Sequence, residues 1–164
     1  MERKFGVFNT IEELNMAAAA QKAEGDIEAL EALAAENGIE WDDAADYIDD
    51  ISPALATPLM AAMGKLDLEE EELKLESQLK DWKDFIVLLC TEDPEMCHGV
   101  FRPDRHLADV LAEGLKHASE NRIVLPDVLI KKAGLPARTA IGMTGRDELR
   151  RIAEEYYLGK GEEA

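Results

Sequence analysis

Apolar residues that recur at intervals of three and four positions restrict the fold of this chain more than any other feature. The clearest run comprises Leu79, Trp82, Phe85, Ile86, Leu89 and Cys90. This spacing places apolar side chains on one face of an α-helix, and no segment alternates convincingly as a half-buried strand would. Aromatic residues make up only 5% of the chain, and its abundant alanine and leucine favour helix over sheet. The sequence therefore predicts an all-α fold, a compact bundle of about seven to eight short helices around a central helix near residues 76–91.

Capping and termination signals set the predicted helix boundaries. Thr10 and Glu13 form a capping-box pattern, in which each side chain satisfies a free backbone N–H group of the other. Glycines such as Gly25 and Gly38 are typical of helix ends. Trp41 begins the third helix and is expected on its apolar face. The predicted helices span residues 10–24, 26–37, 41–51, 53–63, 76–91, 104–119, 126–133 and 146–158.

Prolines divide the middle of the chain. Ser52-Pro53 and Thr57-Pro58 each place a proline at a first helical position, so residues 53–63 are expected to be a short or broken helix. Pro94 is interpreted as an interruption, followed by a short turn at residues 95–98. Residues 138–143 could form a short β-bridge at most.

A shift in composition near residues 64–76 is the only plausible lobe boundary. It predicts an acidic N-terminal helical lobe over residues 1–64 and a C-terminal helical lobe over residues 76–164 that packs on it. Residues 65–75 are the connector, either the start of a helix or an extended linker, and they contain a run of four acidic residues.

The net charge of −18 is distributed unevenly. Residues 1–81 carry 21 acidic and 6 basic residues, a net charge of −15, whereas residues 82–164 carry 15 and 12, a net charge of −3. Residues 131–151 carry 6 basic and 2 acidic residues, a local charge of +4. The acidic half should repel nucleic acid and attract a basic protein surface, unless it is only a solvated surface that resists aggregation.

Catalytic, metal and membrane signals are weak. Cys90, Cys97, His98 and His106 lack the paired spacing of a zinc site, and the aspartates near residue 46 lack the alternation of a calcium loop. No nucleophile or phosphate-loop motif is present. No apolar run is long enough to cross a bilayer, and no leader pattern opens the chain. We therefore expect a cytoplasmic protein with buried cysteine thiols, no cofactor, no metal, no membrane contact and no enzymatic activity.

Rows of acidic residues are the leading candidate site. Residues three or four positions apart share a helix face, and four residues rise about 6 Å, close to the spacing of phosphates along a nucleic-acid strand. Rows therefore fall at 24, 28 and 31, at 42, 46, 49 and 50, and at 69, 72 and 76. The candidate partner-binding residues are Asp42, Asp43, Asp46, Asp49, Asp50, Glu69, Glu70, Glu71 and Glu72. The simpler interpretation of any single row is a solvated helix face.

The basic C-terminal segment suggests the opposite activity, direct binding of nucleic acid. Residues 126–158 read as helix, connection and helix, but the connection of about ten residues is much longer than the turn of a helix-turn-helix motif. These bases could instead pair with the chain's own acids. The candidate residues for this alternative are Lys131, Lys132, Arg138, Arg146, Arg150 and Arg151.

Four segments resemble short acidic proteins that are carried on conjugative elements and prophages of anaerobic gut bacteria. They are residues 5–19 (FGVFNTIEELNMAAA), 33–39 (LAAENGI), 46–49 (DYID) and 155–159 (EYYLG). The resemblance transfers no functional residue. It implies a mobile-element setting, in which small acidic helical proteins often look like inhibitors of host defence such as anti-CRISPR proteins.

Two functional hypotheses follow. The first is a non-enzymatic interaction protein whose acidic rows bind and block a basic, nucleic-acid-handling protein by nucleic-acid mimicry. The second is an accessory DNA-binding or regulatory protein of a mobile element that uses the basic C-terminal helices. An enzyme would require a cleft that holds paired titratable groups.

Overall fold

Nine α-helices and one two-stranded antiparallel sheet form residues 2–160, the part of the chain that this computed structural model describes. The helices are α1 (Ile11–Glu24), α2 (Ile27–Glu36), α3 (Trp41–Ile48), α4 (Pro58–Leu73), α5 (Ser77–Glu92), α6 (Pro94–Phe101), α7 (Leu107–Glu120), α8 (Asp127–Ala133) and α9 (Arg146–Leu158). The strands are β1 (Arg122–Val124), which precedes α8, and β2 (Ala140–Gly142), which follows it. The predicted all-α bundle is confirmed, and α5 is the predicted central helix.

Side chains cap the first helices as their sequences predict. Thr10 Oγ1 accepts a hydrogen bond from the Glu13 N–H group at 3.1 Å. The Glu13 carboxylate in turn accepts from the N–H group of Asn9, one residue before the cap. Asp26 caps α2 by accepting from the Ala29 N–H group at 2.9 Å. These bonds satisfy backbone donors that have no partner within the helix.

The prolines act differently from their prediction. Of the two proline pairs that were predicted to begin a helix, only Thr57-Pro58 does so, and the Thr57 hydroxyl accepts from the Met60 N–H group. Because a residue before proline is disfavoured in the helical conformation, a helix begun at Pro53 could not continue through Thr57. Pro94, predicted to interrupt the chain before a turn, is instead the first residue of α6, and Asp93 caps that helix.

Helix α4 continues through most of the predicted connector. Residues 65–73 form its C-terminal half, because Gly64 is tolerated within a helix and no proline interrupts this stretch. The apolar core falls into two clusters that divide within α4, since Ala61 belongs to one while Ala62 and Leu66 belong to the other. The first cluster packs α1, α2 and α3, and the second packs α5, α6, α7 and α9. Helix α4 therefore contributes to both clusters, as does α6, whose Phe101 belongs to the first cluster.

Close backbone contact joins α4 to the turn between α2 and α3. A Cβ atom built on Gly64 would lie 2.3 Å from the carbonyl oxygen of Asn37, and one built on Gly38 would lie 2.3 Å from the Gly64 oxygen. Gly38 also has a φ angle of +69°, a conformation that L side chains rarely adopt. Only glycine fits at either position.

The small sheet was largely missed by the sequence prediction. Its strands pair in the register Arg122 with Gly142, Ile123 with Ile141 and Val124 with Ala140. A β-bridge was allowed within residues 138–143, but the partner strand before α8 is only three residues long and carries no periodic signal. Within residues 2–160, no helix has the length and apolar character needed to cross a membrane.

Replacing Gly64 by alanine tests the backbone contact. We expect Gly64→Ala to lower the free energy of unfolding by about 2 kcal/mol, because the new methyl group overlaps backbone atoms that cannot move independently. Urea denaturation followed by circular dichroism measures the change. Gly145→Ala is the control, since its Cβ atom would have no neighbour within 4 Å, and it should cost less than about 1 kcal/mol. Equal stability of the two variants would contradict this account of the contact.

Candidate functional site

The four aspartates of the predicted α3 row, at residues 42, 46, 49 and 50, do not form one continuous row. Helix α3 ends at Ile48 rather than at residue 51, and Asp49 is its C-cap. Asp50 has a φ angle of +60° and forms an ion pair with the Lys22 ammonium group at 2.6 Å. The i, i+4 relation of Asp46 and Asp50 is therefore broken at the helix end, and Asp50 leaves the row.

The other four candidate aspartates remain available at the surface. Asp42, Asp46 and Asp49 are exposed and Asp43 is half-buried. Among the described residues, none of these four carboxylates lies within ion-pair distance of a basic side chain. The negative charge of α3 is thus left unneutralised by the fold.

Two large apolar side chains flank these carboxylates. Trp41, expected on the apolar face, begins α3 with 50% of its surface exposed, and Ile51 beyond the helix end is 71% exposed. The buried contacts of α3 are made by Ala44 and Tyr47 instead. An exposed tryptophan beside unpaired charges is typical of the residues that dominate binding energy at protein interfaces. We refer to Trp41, Asp42, Asp43, Asp46, Asp49 and Ile51 as the α3 surface.

The acidic run on α4 divides into structural and free residues. Glu70 binds Lys83 at 2.8 Å and Lys80 at 3.2 Å, and Lys83 is itself buried. Burial opposes the charge of Lys83, but the carboxylates of Asp67 and Glu70 outweigh it and raise the pKa of Lys83. Glu71 and Glu72 stay exposed. Of these candidate glutamates, Glu70 therefore stabilises the fold, whereas Glu71 and Glu72 remain at the surface.

Two other predicted rows also cross helix ends. Gly25 and Asp26 separate residues 24 and 28 between α1 and α2, and α4 ends at Leu73, before residue 76. Four-residue spacing places side chains on one face only within a single helix. Each of these two rows is thus shortened to a pair on one helix, residues 28 and 31 on α2 and residues 69 and 72 on α4.

The candidate bases on α9 pair with acids of the same chain. Arg150 binds Glu92 at 2.9 Å, and Arg151 binds Glu148 and Glu155. These carboxylates, Glu148 first, raise the pKa of the Arg151 guanidinium group. Arg146 has no ion pair among the described residues, but its guanidinium carbon lies 5.6 Å from the centre of the Phe85 ring. Most of the positive charge on α9 is therefore neutralised by carboxylates of the same chain.

The remaining candidate bases lie outside both apolar clusters. Lys131, Lys132 and Arg138 are exposed, and none is in an ion pair within the described part of the chain. They belong to the segment from β1 through α8 and β2 to Met143, residues 122–143, which we call the arm. Its attachment includes Gly142, whose added Cβ atom would lie 2.3 Å from the Ala118 oxygen of α7. Lys131, Lys132 and Arg138 therefore lie on the arm, whereas the other three candidate bases lie on α9.

A small cleft at the junction of the two clusters holds two titratable groups whose pKa values are shifted, Lys65 and Glu69. It has a volume of about 190 Å³ and includes Lys65, Glu69 and His106 in its wall. The Lys65 ammonium group donates to the carbonyl oxygens of Val100 and Arg102 at 2.7 Å and also to that of Arg105. Its three donors are all used on backbone groups in the last turn of α6 and just beyond its end.

Burial dominates the electrostatics of this cleft. It raises the pKa of Glu69, against the opposing charge of Lys65, and it lowers the pKa of Lys65, against the charges of Glu69 and Asp104. The Glu69 Oε2 atom is buried without a hydrogen-bond partner, and Oε1 lies 3.6 Å from His106 Nδ1. The sequence did not indicate the role of Lys65, because the groups that it binds are backbone oxygens distant in sequence.

The chain matches no protein-family model, no curated protein and no solved structure. Among the described residues, no group of three or more His, Cys, Asp or Glu side chains is arranged to hold a metal ion. Cys90 and Cys97 are both buried and free, as predicted. The candidate surfaces are therefore judged on the chemistry of their own residues.

The pH dependence of folding tests the environment of Glu69. Its pKa is raised above the ordinary value of 4.5. Between pH 4.5 and the pKa in the folded state, the folded protein therefore keeps a proton on Glu69 that the unfolded chain has lost. The stability that this proton contributes is present below pH 4.5 and is lost as pH rises through the folded pKa. We therefore expect Glu69→Gln to gain stability relative to the wild type across that interval, measured by urea denaturation at successive pH values. Glu71→Gln removes an exposed charge from the same helix and is the control; parallel curves for wild type and Glu69→Gln would refute the assignment.

Proposed function

We propose that this protein is a non-enzymatic interaction protein whose α3 surface binds a basic protein. The observation that carries the proposal is the combination of four unneutralised aspartates with a half-exposed Trp41. Carboxylates give complementarity to a basic surface and speed association, while a partly exposed aromatic ring supplies the apolar contact that holds the complex. The partner is a nucleic-acid-handling protein, whose basic groove the α3 surface would block.

Helical presentation supports this binding mode. Asp42 and Asp46 lie one turn apart on α3, about 6 Å along the helix axis. That distance is close to the spacing of successive phosphates, so both carboxylates can meet bases that normally contact a nucleic-acid backbone. An inhibitor of host defence, in the manner of an anti-CRISPR protein, acts in this way and needs no chemistry of its own.

The cleft at the cluster junction favours a structural role over catalysis. Every donor of Lys65 is directed to a backbone carbonyl, so it is not free to exchange a proton with a substrate. The groups of the cleft hold the connection between α6 and α7 in place. The proposal therefore assigns no reaction to them.

Charge reversal on α3 tests the proposed surface. The variant Asp42→Lys/Asp46→Lys/Asp49→Lys should retain its helical circular dichroism, because all three side chains are exposed. In pull-downs from lysate of the host, it should recover at least about tenfold less partner than the wild type. Added duplex DNA should release the wild-type complex if the partner's nucleic-acid groove is occupied. Asp50 is left unchanged, since its reversal would break the internal pair with Lys22.

A matched variant makes the result specific. Asp81→Lys/Glu113→Lys/Glu120→Lys changes the net charge equally on α5 and α7, at exposed positions. It should bind as the wild type does. Equal losses in the two variants would attribute binding to total charge, and unchanged binding of the α3 variant would reject this surface as the site.

Direct binding of duplex DNA is the second candidate, and the ion pairs argue against it. Arg150 and Arg151 are held by carboxylates of the same chain. We expect no mobility shift of random duplex DNA at low salt, where electrostatic binding is strongest. A shift that is lost in the variant Lys131→Gln/Lys132→Gln would instead establish the accessory DNA-binding function.

A further inference from the structure

For its length, the arm exposes far more large apolar side chains than the rest of the chain. Of the 16 large hydrophobic side chains that are exposed in the described residues, seven lie within the 22 residues of the arm. These seven are Ile123, Val124, Val128, Leu129, Leu135, Ile141 and Met143. Only Ile130 of the arm is buried, and it belongs to neither apolar cluster. Concentrated apolar exposure of this kind marks an interaction site.

Helix α8 interleaves apolar and basic side chains on its outer side. Ile130 faces inward, and at 3.6 residues per turn Val128 and Lys132 lie on the opposite side, while Leu129 and Lys131 lie on the two flanks, about 100° from Ile130. Val128 is 63% exposed and Leu129 is 53% exposed. A ligand that covers this side must therefore satisfy apolar and cationic groups together.

The strands extend the apolar surface beyond α8. Ile123 and Ile141 lie directly opposite each other in the register of the sheet, and both are exposed. Opposed residues of an antiparallel pair point to the same face, so the two side chains form one apolar patch in water. The free edge of β1 is only three residues long, too short to hold a ligand strand by backbone pairing alone. Side-chain contacts must therefore supply most of the affinity.

The charge of the arm is opposite to that of the whole protein. Residues 122–143 contain four basic residues and one acidic residue, a net charge of +3 in a chain of −18. At physiological ionic strength, charges more than about 8 Å away are largely screened. At the point of contact, the arm's own cations therefore decide which partner is attracted.

We propose that the arm is a docking surface for an acidic segment of another protein, one that carries apolar side chains between its carboxylates. Such a segment covers Val128 and Leu129 and at the same time pairs with Lys131 and Lys132. A second copy of the chain that docked arm to arm would bring two charges of +3 together. Phosphates of a nucleic acid would satisfy the cations but leave the apolar side chains in water. This surface is independent of the α3 surface and has the opposite sign.

Binding of a defined peptide to the full chain tests the proposal. The probe is a fluorescein-labelled amphipathic peptide of about 18 residues, five helical turns, with leucine on one face and glutamate on the other. Its comparison peptides are a scrambled isomer and an analogue with lysine in place of glutamate. By fluorescence anisotropy, the acidic amphipathic peptide should bind at least about tenfold more tightly than either.

Paired variants separate the two parts of the surface. Val128→Ser/Leu129→Ser removes apolar contact and Lys131→Gln/Lys132→Gln removes charge, and each should weaken binding by about tenfold. The controls are Val7→Ser/Leu115→Ser and Lys116→Gln/Lys160→Gln, which make the same changes at exposed positions elsewhere. All substituted side chains are exposed, so thermal unfolding should be little changed.

Four results would overturn the proposal. One is the absence of any preference for the acidic amphipathic peptide over its scrambled isomer, and another is an equal loss of binding in the control variants. The third is a concentration-dependent dimer in sedimentation velocity that Val128→Ser/Leu129→Ser abolishes, which would assign the arm to self-association. The fourth is a duplex DNA shift that Lys131→Gln/Lys132→Gln abolishes, which would assign it to nucleic acid.

Discussion

The contact between Gly38 and Gly64 is the constraint on which the arrangement of the helices depends. The two backbones approach so closely that a Cβ atom at either residue would lie 2.3 Å from a carbonyl oxygen. Gly38 lies in the turn that leads into α3, and Gly64 lies on α4 where the two apolar clusters meet. The contact therefore fixes the start of α3 against α4, a helix that contributes to both clusters. The unpaired carboxylates of α3 are held on a rigid element for this reason.

Lys65, the next residue on α4, makes the corresponding connection to the C-terminal half. Its ammonium group holds three carbonyl oxygens at and beyond the end of α6, where backbone acceptors lack helical partners. A cation is also favoured at this position by the helix dipole. Charges on α4 thus serve the fold, as Glu70 does with Lys83. Acidic residues of α4 such as Glu70 have basic partners within the fold, whereas those on the α3 surface have none among the described residues. Amino-acid composition alone does not reveal this difference.

Local signals predicted most of the secondary structure, and tertiary contacts decided the rest. The caps at Thr10 and Asp26 and the final helix, Arg146–Leu158, follow from interactions between near neighbours, so their sequences suffice. The exposure of Trp41 and the pairing of Arg150 with Glu92 depend on residues far away in the chain. Candidate rows of acids failed because four-residue spacing was counted across helix ends. The apolar surface of the arm was missed because its residues show no helical or strand periodicity. Their exposure to solvent is determined by the fold and is not visible in the sequence.

Two surfaces of opposite charge on one small protein place different demands on a partner. Exposed ion pairs alone contribute little to affinity, so neither charge is sufficient for stable binding. At each surface the fold leaves apolar side chains beside the charges, Trp41 and Ile51 near the aspartates and Val128 and Leu129 beside the lysines. In the proposed complexes, charge complementarity would select the partner and burial of the apolar groups would retain it. Because all four apolar side chains are at least 50% exposed, each proposed surface differs from a merely solvated one in its apolar groups as well as in its charge.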